Sequence, residues 1–382
     1  MSAAPIQVEN LIIGAGPSGL AAAACLKRRG LPHLILERDA LASTWRHHYE
    51  RLHLHTAKQY SQLPHHPMPE SYPTYPSRAQ VVAYLEDYAK ALELDIRTGV
   101  TVTRAHREDH APRDTGGWLV DTNQVRYRAS CLIVASGYNA SPVLPSWPGL
   151  DTFEGEVFHS SLYKNGAPYK GRDVLVVGAG NSGAEITIDL WEHGARPAMS
   201  VRSPVHVVPR DVFGVPAQTL AIALSRLPPT LADRLSLPMR DAVVGDLSSY
   251  GLNRPSRGPV ELLEAEGRVP LVDIGTVALI KQGSVTVFPD ISKIETSLVH
   301  FADGRKRRFD SIVLATGYRT NLPSWLESDA LNGRGLPKAH GADAGHGLYF
   351  LGFRNPSTGN LREIALEAER IARAISRSAP SA

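Results

Sequence analysis

Two short glycine loops hold the residues with the clearest chemical purpose. Gly14-Ala15-Gly16-Pro17-Ser18-Gly19 follows the apolar run Leu11-Ile12-Ile13, and Gly178-Ala179-Gly180-Asn181-Ser182-Gly183 follows Val174-Leu175-Val176-Val177. In each, a strand buried on both faces runs into a Gly-x-Gly-x-x-Gly turn that opens a helix. The glycines let the backbone turn tightly and come close to a pyrophosphate, which then rests on the helix N-terminus. One such loop is a weak signal. Two in one chain imply two dinucleotides.

The residue that ends the strand after each loop gives each site its selectivity. Leu34-Ile35-Leu36 ends at Glu37, twenty-three residues after Gly14, where a carboxylate can bond the two hydroxyls of an adenosine ribose. In the second copy Ala198 to Val201 ends at Arg202, twenty-four residues after Gly178. A carboxylate there would repel a 2′-phosphate, whereas a guanidinium pairs with it. The second site therefore reads as one for NADPH rather than NADH.

The elements that must position these residues repeat. Ile6 to Ile13 is a strand, and Leu20 to Arg29 an Ala-rich helix closed by Gly30. Ser77 caps a helix through about Ala91, and Val100 to Val102 reads as a strand. Trp118 to Ala135 reads as a hairpin leading into Ala135-Ser136-Gly137-Tyr138. The second copy has its own helix, Ser182 to His193. Later come Leu298 to Phe301, the Asp303-Gly304 turn, and Ile312 to Leu314 leading into Ala315-Thr316-Gly317-Tyr318. The fold class is thus α/β, with two Rossmann-like dinucleotide-binding domains, the second inserted in the first. The expected bounds are 1–164 and 311–382 for the first domain and 165–310 for the second. The second carries a helical insert at about 211–260, with short helices at Leu220 to Leu227 and Leu231 to Leu237 split by Pro228-Pro229.

Composition narrows the function. A net charge of +3 over 382 residues leaves no nucleic-acid footprint. The two cysteines, Cys25 and Cys131, lie far apart in apolar context, and no Cys-x-x-Cys is present, which argues against a dithiol reductase. No stretch is long and apolar enough for stable membrane insertion. No basic region precedes the first apolar run, so a cytoplasmic setting is expected. Six histidines fall within 43–76: His47, His48, His53, His55, His65 and His66. They lack the Cys or carboxylate spacing of a metal site, and none is expected.

Further motifs carry a resemblance. Phe153-x-Gly155-x-x-x-His159-x-x-x-Tyr163, just before the second loop, resembles the fingerprint of flavin-dependent monooxygenases. Leu52-His53-Leu54-His55-Thr56 with Lys58-Gln59, Tyr72 to Pro76, His206 to Arg210, Gly251-Leu252-x-Arg254-Pro255, Asp273-x-Gly275-Thr276 and Leu314 to Tyr318 extend it over nearly the whole chain. The sequence is similar to flavin-containing monooxygenases of the YUCCA type, which act on indole-3-pyruvate. Three positions depart from related patterns. Tyr163 stands where Baeyer–Villiger enzymes have Trp, and His55 where animal-type enzymes have Asn. Leu361 to Leu366 stands where YUCCA-type chains are usually Gly-rich.

The resemblance implies two cofactors, FAD and NADPH. FAD is expected on Gly14, Ala15, Gly16, Pro17, Ser18, Gly19 and Glu37, with Thr316, Gly317 and Tyr318 at the return of the chain, and further cofactor contacts at Arg38, Trp45, His55, Thr56, Val102, Ser136 and Gly137. NADPH is expected on Gly178, Ala179, Gly180, Asn181, Ser182, Gly183 and Arg202. The candidate catalytic residues are His55, His159 and Tyr163. His159 and Tyr163 are expected to brace the linker before the second loop. His55 is left with two readings, a bond to the bound cofactor and its oxygen adduct, or packing beneath the ring. The implied reaction consumes NADPH and O2 through a C4a-hydroperoxyflavin and decarboxylates an aryl-pyruvate such as indole-3-pyruvate to indole-3-acetate. An N- or S-oxygenase and a non-oxygenating NADPH-dependent flavoprotein are the alternatives. Arg210 or Arg254 would meet the substrate carboxylate. The expected partners are a small-molecule substrate and O2, with a homodimer left open.

Overall fold

The computed structural model describes residues 4–108 and 117–378. The chain divides into two compact units. The first is built from residues 1–46, 57–141 and 318–382, the second from 47–56 and 142–317.

In the first unit, β1 (Ile6–Ile13) runs into α1 (Pro17–Lys27) and β2 (His33–Leu36). α2 (Arg78–Ala91) follows; its Ser77 hydroxyl accepts from the Gln80 amide while the Gln80 side chain accepts from Ser77 N. This reciprocal cap satisfies two of the helix's orphan donors. β3 (Ile96–Arg97), β4 (Val102–Arg107), β5 (Trp118–Thr122) and β6 (Arg126–Val134) complete a sheet of order β3-β2-β1-β6-β5-β4. The strand expected at Val100 begins two residues later, at Val102. The long β6 serves two partners on one edge. Its first half pairs antiparallel with β5, and its second half pairs parallel with the late strand Leu348–Phe350. The core joins Leu11, Leu34, Trp118, Tyr127, Leu132 and Phe350.

The second unit has a five-stranded parallel sheet. Its strands are β7 (Glu156–His159), β8 (Asp173–Val177), β9 (Arg196–Ser200), β10 (Thr286–Phe288) and β11 (Ser311–Leu314), in the order β10-β9-β8-β11-β7. α3 (Asn181–Glu192) connects β8 to β9. The order β3-β2-β1-β6 of the first sheet has its counterpart in β10-β9-β8-β11, as a duplicated strand–loop–helix pattern requires. Both β7 and β11 lie in this second sheet, so the unit runs from 142 to 317 rather than from 165 to 310. Parallel pairing decides the boundary: β11 is held between β7 and β8, inside the sheet rather than at its edge.

The helical insert also departs from expectation. α4 (Ala217–Leu224) is short, but α5 (Pro229–Val244) continues through Pro238 instead of stopping at Leu237. Proline lacks the N–H that would bond four residues back, yet one lost bond does not end the helix here. α6 (Pro259–Glu266) follows. Back in the first unit, β12 is the Leu348–Phe350 strand, and α7 (Asn360–Ser378) buries Leu361, Ile364, Ala368, Ile371 and Ile375. No described helix is long and apolar enough to cross a membrane.

Candidate functional site

The first loop has the shape that a bound pyrophosphate needs. Gly14 sits at φ +109°, and a Cβ there would lie 2.6 Å from the Ala135 carbonyl. Only glycine tolerates both conditions. A Cβ on Gly16 would meet nothing within 4 Å, so the face over the start of α1 is open. Pro17 occupies the first helical turn, where its missing N–H costs nothing. Glu37, at the end of β2, accepts the Ala15 amide on Oε2 at 2.7 Å and the Asp39 amide on Oε1 at 3.0 Å. Its carboxylate is therefore fixed beside the loop. The Ser136 hydroxyl is buried without a hydrogen-bond partner next to Gly14, an orphaned polar atom that a bound ligand would satisfy. Ser18 is buried and Arg38 exposed. Trp45 lies on the short helix Ser43–His47, Val102 opens β4, and Gly137 follows Ser136 in the left-handed region at φ +85°. These residues fit a flavin dinucleotide.

The second loop repeats the geometry. Gly178 has φ +116°, a Cβ on it would strike the Ala315 carbonyl, and Gly180 is open. The Asn181 carbonyl oxygen accepts the Val272 amide at 2.8 Å, so this side chain first holds the strand Leu271–Asp273 against the loop. That leaves its amide nitrogen for a ligand. Ala179 lies two residues before Asn181 and Ser182 follows it. Arg202 is exposed just past β9 and makes no hydrogen bond or ion pair among the described residues. A free guanidinium at this position fits a 2′-phosphate.

His159 ends β7. Its Nε2 donates to the Gly317 carbonyl at 3.0 Å, and its Nδ1 accepts from the Ser161 amide at 3.1 Å. Burial lowers its pKa below the ordinary histidine value, partly offset by the Gly317 bond. The ring is thus a neutral brace. The Val143 amide donates to the same Gly317 carbonyl, and the Thr316 hydroxyl donates to Val143 O at 2.6 Å. The chain enters this unit at 142 and leaves it after 317, so His159 and Thr316 tie the two crossing points together. Tyr318 is the first residue back in the first unit.

Tyr163 is 1% exposed and donates to Asp189 Oδ2 at 2.6 Å. Burial, then the Asp189 carboxylate, push its ionisation far above the ordinary tyrosine range. It stacks on Tyr169 and meets Tyr49 edge-on. Asp189 lies on α3, where Glu185, Asp189 and Glu192 share one face. A four-and-three spacing of acids usually marks a solvated stripe, yet Glu185 and Asp189 are buried. The segment 47–56 covers them. Arg51 clamps Glu192 through Nε at 2.8 Å and Nη2 at 2.9 Å, and His55 Nε2 bonds Glu185 Oε1. Thr56 ends this segment. Glu185 was not among the residues singled out from the sequence. Its only signal was an acid in the apolar run Ala184, Ile186, Ile188, Leu190.

Arg210 pairs with Asp211 at 3.1 Å, and Arg254 with Asp241 at 3.0 Å. Neither guanidinium is held open for a substrate carboxylate. Among the described residues, one trio has ligand atoms close enough for a metal, Cys25, His65 and Glu369. Arg29 already pairs with Glu369 at 2.8 Å, and burial pushes the Cys25 thiol far above its ordinary pKa. A protonated thiol and a neutralised carboxylate are poor ligands.

A family model described as pyridine nucleotide-disulphide oxidoreductase matches residues 11–211. The rice (Oryza sativa subsp. japonica) indole-3-pyruvate monooxygenase YUCCA1 is 46% identical over 353 residues, covering 90% of this chain and 86% of its own. The chain belongs to the YUCCA-type monooxygenase family. The Arabidopsis thaliana family member YUCCA6 is 40% identical over 376 residues, covering 95% of this chain and 88% of its own. A flavin monooxygenase from Stenotrophomonas maltophilia superimposes with a TM-score of 0.74 at 25% identity, covering 97% of this chain and 99% of its own. Cyclohexanone monooxygenase, at 21% identity and a TM-score of 0.74, shares the fold. This YUCCA-type chain is an oxidoreductase and a flavoprotein monooxygenase. Its two cysteines, Cys25 and Cys131, are both free.

Proposed function

We propose that this protein is an NADPH- and O2-dependent monooxygenase that decarboxylates an aryl-pyruvate, with indole-3-pyruvate as substrate and indole-3-acetate as product. The first unit is the FAD domain, and the second, inserted in it, is the NADPH domain. The observation that carries the cofactor assignment is the pair of strand ends: Glu37 fixed beside the first loop, and Arg202 unpaired in the corresponding place beyond the second. The substrate follows from the relatives named for it, at 40–46% identity over most of the chain.

The bound cofactors supply hydride transfer and dioxygen activation. The protein supplies the rest. Gly16 and Gly180 leave the helix N-termini open to the two pyrophosphates, and the Ser136 hydroxyl offers a donor beside the first. Arg202 selects the phosphorylated coenzyme. His159 and Tyr163 act as braces rather than as acids: His159 is neutral with both nitrogens bonded, and Tyr163 keeps its proton and donates a hydrogen bond to Asp189. They hold the linker through which any motion between FAD and NADPH binding must pass. Oxygenation of amines or sulfides is the second reading, favoured by the absence of an open arginine at Arg210 or Arg254. Incubation with NADPH and either indole-3-pyruvate or a thioether, followed by product analysis, separates the two. Indole-3-acetate formed in proportion to NADPH consumed supports the proposal, and sulfoxide alone overturns it.

A further inference from the structure

Glu185 is 1% exposed, on the second turn of the helix that opens with the second glycine loop. Burying a carboxylate is costly unless a partner compensates it. His55 donates to it, through Nε2 to Oε1, and the Tyr49 hydroxyl also bonds the carboxylate; the other oxygen, Oε2, is buried without a partner. Tyr49, 3% exposed, lies alongside, its hydroxyl pushed well above the ordinary tyrosine range by burial and then by the Glu185 charge. Arg51, two residues on, places its own charge near both Glu185 and Asp189 while clamping Glu192. The segment 47–56 is thus pinned to α3 at three points, by Arg51, His55 and the Tyr49 hydroxyl, and Tyr49 also meets Tyr163.

An ionised carboxylate accepts hydrogen bonds and donates none. It therefore puts the hydrogen of neutral His55 on Nε2 and leaves Nδ1 as the nitrogen that exchanges protons. Nδ1 has no partner among the described residues, and the His55 side chain is 14% exposed, open on one side while Glu185 is sealed. A carboxylate behind one imidazole nitrogen, with the other nitrogen free, is the arrangement by which a buried acid orients a proton-transferring histidine.

We propose that Glu185 is a positioning residue that acts through His55, and that His55 Nδ1 delivers the proton this reaction consumes. The inference rests on the monooxygenase reading. Oxidative decarboxylation converts the 2-oxo acid, NADPH, O2 and one proton into the shortened acid, carbon dioxide, NADP⁺ and water. One proton must therefore enter per turnover. The imidazolium gives its Nδ1 proton to the reacting oxygen, which leaves as water. Neutral His55 keeps Nε2–H on Glu185 and takes its next proton on Nδ1 from solvent. Glu185 keeps its charge throughout.

The test has two parts. In histidine-labelled wild-type enzyme, nitrogen NMR reads the His55 tautomer, assigned by the signal lost in His55→Gln. Nε2–H is expected, and an Nδ1–H tautomer overturns the proposal. Product formed per NADPH is then followed against pH in wild type, Glu185→Gln and Glu185→Asp. Removing the charge should move the alkaline limit of coupled turnover to lower pH by about one unit. Aspartate should restore part of it. Circular dichroism and FAD content show that each variant folds; a merely structural Glu185 would lower yield equally at every pH, which also overturns the proposal. Wild-type enzyme that forms no oxygenated product would instead overturn the proposed function, a different result from either.

Discussion

His159 donates from Nε2 to the carbonyl of Gly317 at 3.0 Å, linking the end of β7 to the last residue before the chain leaves the second unit. The same carbonyl accepts the Val143 amide, so one oxygen gathers both crossing segments. His159→Ala removes one of the two donors. We expect the variant to bind FAD but to form less product per NADPH, with hydrogen peroxide making up the difference. NADPH consumption should stay within about tenfold of wild type, an effect of about 1.4 kcal/mol or less. Parallel assays of NADPH, peroxide and product check this; full coupling in the variant would refute the brace.

Buried and half-buried histidines should also make stability pH-dependent. His33, His159, His206 and His340 all have pKa values lowered chiefly by burial. Their folded-state pKa lies below the unfolded value of about 6.5, so the unfolded chain binds more protons in that window. The stability they contribute is complete above the unfolded pKa and is lost as pH falls through it toward the folded one. Each group adds at most about 1.4 kcal/mol per pH unit. Melting temperature should therefore fall from pH 7 to pH 5, and less steeply in His159→Gln. An identical slope in that variant would show that His159 does not contribute.

Arg202→Ala should raise the Michaelis constant for NADPH with little change for NADH. The lost charge-assisted contact is worth roughly 1.5–3 kcal/mol. Steady-state kinetics with the two coenzymes measure it, and equal losses with both would mean that Arg202 does not read the 2′-phosphate.

Gly14→Val should abolish FAD binding, because its side chain would run into the Ala135 carbonyl and demand φ +109° of a β-branched residue. The absorbance of the purified variant tests this. A yellow protein with full FAD content would show that the first loop is not the flavin site.

Much of this was legible in the sequence because glycine spacing and apolar runs are local signals. β1, β8 and both loops lie where the residue types put them, and the Ser77–Gln80 cap starts α2. The domain boundary was harder. β7 and β11 are each four residues long, and only parallel pairing of residues 155 apart in the chain shows that they share a sheet. The helix expected at Leu231 to Leu237 runs on to Val244, because apolar spacing is local whereas the packing that carries α5 past Pro238 is not. Glu185 was missed because its partner, His55, lies 130 residues away. A charge spaced like a surface stripe gives no sign that another segment will cover it.

The proposed reaction places one atom of dioxygen in the product at the expense of one NADPH. FAD-loaded enzyme given NADPH, indole-3-pyruvate and ¹⁸O₂ in ordinary water measures this directly by mass spectrometry of the acid formed. We expect indole-3-acetate carrying one ¹⁸O, with one NADPH oxidised per molecule. Unlabelled product, or hydrogen peroxide with no indole-3-acetate, would contradict it.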